Sequence, residues 1–177
     1  MADSPRVVFS SFRSGGDPML DSWTRFRDAV APASTVERPR ASRSGVAAGS
    51  AGAQDRSGVW RILATNNREL CRSAHVYPTF ATARAHVLHL REQVEKLVVT
   101  PVVGPRPGSR GWYMTLDGVV VITCGRWYGA AASSGEAATA SLEALVGAVI
   151  MDEARDVTAP GRRATRDPAG DRRALTW

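Results

Sequence analysis

His86, His89 and Glu92 follow one another at intervals of three residues. On a helix that spacing sets the side chains along one strip, a geometry able to offer nitrogen and oxygen ligands to a metal. The strip flanks an apolar stripe, and no Cys or carboxylate elsewhere has complementary spacing, so a solvated helix face is the expected reading. His75 lies two residues after Ser73 in strand-like text. A nucleophilic serine also needs an orienting third group and an oxyanion site, and the chain contains no G-x-S-x-G. Cys71 and Cys124 make neither a C-x-x-C pair nor a zinc set and read as two small buried thiols. Neither G-x-x-x-x-G-K-[ST] nor G-x-G-x-x-G occurs. ASSGEAA, with Ser133 and Ser134, has the make-up of a helix start able to hold an anion, but Glu136 at the same end opposes it and capping is the expected job of the serines. Catalytic, cofactor-binding and metal-binding residues are therefore expected to be none, and the chain is read as a non-enzyme.

The second chemistry on offer is stacking. Arg126, Trp127 and Tyr128 are consecutive, and Arg61, Arg72 and Arg110 fall in or beside strand text, so an open sheet face could present rings and guanidinium groups to a single-stranded nucleic acid. Against this, the basic residues do not cluster. The net charge is +6, with 8 Arg against 6 acids in residues 1–57, 9 bases against 6 acids in 58–151 and 6 against 5 in 152–177. MLDSWTRFRDAV (19–30) spaces Leu20, Trp23, Phe26 or Arg27, and Val30 along one helical face and reads either as a short helix that folds on a protein partner or as a chance amphipathic stretch. The contact candidates are thus Arg126, Trp127, Arg72, Trp23 and Phe26.

These residues need elements to hold them, and the chain writes those elements twice. VWRILATNNRELCRSAHVY (59–77) and GWYMTLDGVVVITCGRWY (111–128) align Trp60 with Trp112 and Ile62 with Met114 at an offset of 52, then Leu70 with Val121 and Tyr77 with Tyr128 at 51. Each is a hairpin: alternating apolar residues, an Asn-Asn or Asp-Gly turn suited to positive φ, and a second alternating run. After each the period changes to 3.6. Phe80, Ala83, Val87, Leu90, Val94 and Leu97 form one stripe with Thr79 as cap, and Ala138, Leu142, Leu145 and Val149 form another with Ser133 and Glu136 as a capping box. VVTPVV (98–103) reads as a strand that Pro101 confines to an edge or a bulge. A matching first strand for the first unit is missing, unless VVFSSF (7–12) reaches across a long Ala/Ser/Gly/Arg-rich tract to supply it.

With 44% hydrophobic residues the chain can build one modest core. The expected organisation is a mostly disordered region at 1–57, apart from the helix at 19–30, a folded domain at 58–152 and a disordered Arg/Asp-rich tail at 153–177. Repeat one spans about 58–97 and repeat two about 98–152. The start of the chain lacks the apolar core of a secretory signal and no stretch is long enough to span a membrane, so a cytoplasmic, non-membrane protein is expected.

The two aromatic strands, their turns and the following helices resemble the YegP-like family of short tandem repeats. The matching text is WRILATNNRELCRS with VY and WYMTLDGVVVITC with WY. Cys124 replaces the family's usual Ser, and GAAA (129–132) lengthens the link to the second helix. The resemblance implies an α+β fold in which two ββ(β)α repeats form one antiparallel sheet with helices packed on one face. It also implies a monomer, because two repeats complete the sheet that a single-repeat chain completes by pairing. It implies no reaction and no cofactor. The expected role is a structural or protein-interaction module, with nucleic-acid binding as the alternative.

Overall fold

A computed structural model describes residues 4–12, 16–31 and 57–157. The fold is α+β. Seven strands, β1 (Arg6–Phe12), β2 (Ser57–Leu63), β3 (Glu69–Ser73), β4 (Val98–Val103), β5 (Arg110–Leu116), β6 (Val119–Cys124) and β7 (Val149–Asp156), form one sheet in the order β4-β5-β6-β3-β2-β1-β7. Three helices accompany it: α1 (Pro18–Val30), α2 (Phe80–Glu92) and α3 (Ala131–Gly147). No helix among the described residues is long and apolar enough to cross a membrane.

Two three-stranded meanders, β1-β2-β3 and β4-β5-β6, meet at the β3/β6 seam, where Cys71 faces Cys124. VVFSSF therefore does supply the first strand of the first meander, as β1 pairs with β2 from Arg6↔Leu63 to Phe12↔Ser57. The long tract between them is tolerated because loop-closure cost grows only as the logarithm of loop length. This revises the domain limits: residues 6–12 and 18–30 belong to the fold, while 32–56 lie outside the described residues. At the other end β7 runs to Asp156 and pairs parallel with β1, so the folded unit passes 152 and the sheet is mixed instead of wholly antiparallel. Residues 158–177 lie outside the described residues.

The hairpins explain the change of offset. Asp117 and Gly118 both have positive φ, 50° and 79°, and close a two-residue loop between Leu116 and Val119. In the first hairpin only Asn67 is positive, at 62°, and Ala64 N–H donates to Arg68 O across Thr65, Asn66 and Asn67. That is a three-residue loop with its left-handed residue last, one longer than its counterpart.

Alternation along the strands divides the core into two layers. Trp60, Ile62, Cys71, Trp112, Met114 and Ile122 face α2 and α3. Val59 instead packs with Phe12, Leu20 and Trp23, which places α1 on the opposite face. Helices thus cover both faces, not one. Thr79 caps α2 as expected, in a reciprocal pair with Thr82. The Ser133/Glu136 box does not form: α3 starts at Ala131, its cap is Ala130, and no side chain bonds there. The link from Tyr128 to Ala131 is as short as that from Tyr77 to Phe80, so GAAA opens the helix and adds nothing to the connection. Val149 belongs to β7, because Ala148 turns extended after Gly147. Arg91 on α2 donates to Leu145 O and Ala148 O, at 2.9 and 2.7 Å, and ties the two helices by satisfying the last carbonyls of α3.

Candidate functional site

The face under α1 is built from adjacent strands. Arg61 on β2 and Arg72 on β3 are register partners, so both side chains leave the sheet on the same side. Glu69 lies between them. It accepts from Arg72 Nε and approaches Arg61 Nη1 at 3.5 Å. Arg72 Nη2 also donates to Gly125 O at 3.1 Å, so two of its five N–H donors are engaged inside the protein.

α1 lies over this trio. Asp17 caps it by accepting from Met19 N–H, Pro18 occupies the first turn, and Leu20, Trp23 and Val30 are buried at helical spacing. The Arg72 guanidinium carbon is 4.5 Å from the Trp23 ring centre and 5.1 Å from that of Phe26. Phe26 in turn meets Trp127 at 5.7 Å between centroids. Trp127 reaches so far because residue 111 is glycine: a Cβ there would stand 2.8 Å from the indole. Beside this interlock an open cleft of about 630 Å³ remains, with Phe12, Met19, Trp23 and Val59 as apolar lining and Arg61, Glu69 and Arg72 as its charged part. Trp23 Nε1 and Arg61 Nε are buried there without a hydrogen-bond partner.

Four of the five sequence candidates, Arg72, Trp23, Phe26 and Trp127, therefore come together. Arg126 does not join them. It is exposed and lies 5.1 Å from the Tyr128 ring. Sequence reading missed Glu69, Phe12 and Met19. Strict alternation of β3 would set Glu69 and Arg72 on opposite faces, and the register shift between Ile62 and Leu63 is what brings the acid beside the two arginines, so no local pattern signalled it. Compared with protein-family models, curated proteins and solved structures, the chain matches none.

On the opposite face the reactive residue types are held in a packed polar cluster. Trp60 Nε1 donates to Tyr77 Oη at 3.2 Å, and Tyr77 Oη bonds His86 Nδ1. The His75 ring sits 5.7 Å from that of His86. Burial pushes His86 down to about 4, helped by the neighbouring His75 and His89, and lowers His75, helped by Arg27. Both imidazoles are neutral at pH 7. His89 and Glu92 are exposed while His86 turns inward, so the strip of three does not converge. Ser73 Oγ accepts from Trp60 N–H and donates to His75 O, which commits the hydroxyl to backbone groups. Burial holds Cys71 up at about 12 and raises Cys124, so both thiols stay protonated and unreactive at neutral pH.

Proposed function

We propose that the protein is a non-catalytic protein-interaction module whose recognition element is the cleft between α1 and the sheet. The observation that carries this reading is the interlock of Arg72 with Trp23, Phe26 and Trp127. It engages in internal packing the rings and the guanidinium that a nucleic-acid platform would need free. What it leaves open is an apolar groove with two arginines and one glutamate beside it. Such a groove suits an extended peptide carrying a large apolar side chain next to an acidic one. His75, His86, Ser73, Cys71 and Cys124 support the same reading, since burial or hydrogen bonding occupies each of them.

In this reading the chain is a tandem repeat of the YegP-like type that acts as a monomer. The matched positions of Trp60 and Trp112, and of Tyr77 and Tyr128, support the duplication. Pro101 on the β4 edge and the charges of β7 support the oligomeric state, because both discourage strand addition.

The test is affinity capture with the full chain and with Met19→Asp, which charges the cleft rim at a residue already 59% exposed. A protein recovered by the wild type and lost by Met19→Asp is the expected result. Recovery of oligonucleotides from a mixed pool, with no protein dependent on Met19, would overturn the reading in favour of nucleic acid.

A further inference from the structure

The two meanders place matching residues around their tryptophans, and the differences leave a cavity at Trp112. Phe9 is the register partner of Trp60, and Pro101 is the register partner of Trp112. Gly58 bridges to Tyr77 as Arg110 bridges to Tyr128. Each helix starts three residues after that tyrosine, so Phe80 corresponds to Ala131, Ala83 to Ser134, His86 to Ala137 and Val87 to Ala138.

Around Trp60 the space is filled. Phe9 and Phe80 meet edge to face at 4.9 Å, Val87 is fully buried, and the indole N–H is bonded to Tyr77. Around Trp112 the same positions hold Pro101, Ala131 and Ala138. Two phenyl rings and an isopropyl group are replaced by a pyrrolidine and two methyls, and a cavity of about 240 Å³ opens between α3 and the β4/β5 pair. Trp112 and Ser134 line it, only 1% and 4% exposed, and neither Trp112 Nε1 nor Ser134 Oγ has a hydrogen-bond partner. Leaving a buried donor unmet costs about 1–3 kcal/mol, so two at one cavity call for a ligand that meets them. Arg110 lines the same cavity where the first meander has Gly58. The cap residue of α3, Ala130, supplies no side-chain acceptor to the helix's first N–H groups. Glu136, on the same turn, is exposed and is not among the lining residues.

We infer that this cavity binds a small monocarboxylate: the carboxylate accepts from Trp112 Nε1–H and Ser134 Oγ–H beside Arg110, and an apolar body packs against Pro101, Ala131 and Ala138. A water's share of liquid volume is about 30 Å³, so the space suits a body of about eight to ten non-hydrogen atoms. The site is separate from the α1 cleft and does not depend on its role.

Benzoate, which matches that size, is the probe. The ¹⁵N-labelled full chain has 5 tryptophans, and loss of one indole N–H signal in Trp112→Phe assigns the one that matters. Titration with sodium benzoate at constant ionic strength should move the Trp112 signal saturably and leave that of Trp60 in place. Arg110→Gly and Ser134→Ala should each weaken binding about tenfold, and benzyl alcohol should bind at least about tenfold more weakly than benzoate. Ala131→Phe, which refills the space as the first meander fills it, should abolish the shift while the spectrum stays dispersed. An unmoved Trp112 signal, equal affinity for benzyl alcohol, or undiminished binding by Arg110→Gly and Ser134→Ala overturns the inference. Those last two variants decide it even where Ala131→Phe misfolds.

Discussion

The guanidinium of Arg72 lies between the ring of Trp23, 4.5 Å away, and the carboxylate of Glu69, so one side chain anchors α1 and neutralises a half-buried acid. Trp23→Ala removes a large buried ring and is expected to cost about 3–5 kcal/mol in urea unfolding. Arg72→Met keeps the apolar stem but leaves Glu69 with only the 3.5 Å approach of Arg61. Its expected cost is about 1–3 kcal/mol, and Glu69→Gln in the same chain should restore part of it. A cost for Arg72→Met below about 0.5 kcal/mol would mean that the ion pair contributes nothing measurable.

Trp60 and Trp112 are equally buried, and truncation of either to Ala is expected to cost about 3–5 kcal/mol. They differ in their N–H groups. Trp60 donates to Tyr77 Oη, whereas Trp112 has no acceptor. Trp60→Phe discards a hydrogen bond and Trp112→Phe discards an unmet donor, so the first should cost about 1 kcal/mol more than the second. Equal costs in paired urea melts would show that the two indoles sit in equivalent polar surroundings.

Much of the sheet was legible because its pattern is local. Trp60, Ile62 and Cys71 alternate with Arg61 and Arg72, and the loops at Asn67 and Asp117 announce hairpins. The β1 strand was ambiguous for a physical reason. Val7 and Phe9 form a short run whose partners are some fifty residues further along the chain and at the start of β7, and no local period carries that information. The same holds for β7, where MDEARD looks like tail because an edge strand tolerates charge on both sides. Four of the five residues named from the sequence stand together in the structure, since rings and arginines draw attention wherever they stand. Glu69 was missed because an acid acquires meaning only after two strands place arginines beside it. The cavity at Trp112 was likewise invisible, as an Ala-rich helix reads as ordinary until the residues it faces are known.

The placement of β1 predicts the behaviour of fragments. Residues 58–152 hold both hairpins and α2 and α3, but they omit Val7 and Phe9, both at most 2% exposed, and the helix that covers Val59. β2 then becomes an edge with its apolar face uncovered, and β7 loses its partner strand. A 58–152 fragment is expected to lack a cooperative melt, whereas 4–157 should melt cooperatively. Dispersed amide signals from 58–152 alone would show that β1 and α1 are additions to a core that stands without them.

The polar cluster around Trp60 sets the response to acid. The ordinary histidine value is 6.5, and His86 is held down to about 4 in the fold, chiefly by burial. As pH falls below 6.5 the unfolded chain takes up a proton that the folded chain refuses, so proton uptake favours unfolding. Stability from this group is complete above 6.5, declines as pH drops toward 4, and levels off once both states are protonated. The decline is expected to approach, at most, about 1.4 kcal/mol per pH unit. His75, lowered by burial and by Arg27, adds to it in the same direction. His86→Gln can keep a hydrogen bond to Tyr77 Oη without titrating, so its unfolding free energy should fall less steeply between pH 6.5 and 4 than that of the wild type. Urea midpoints at several pH values in this window measure the difference, and parallel curves for the two chains would show that His86 is protonated as readily in the fold as outside it.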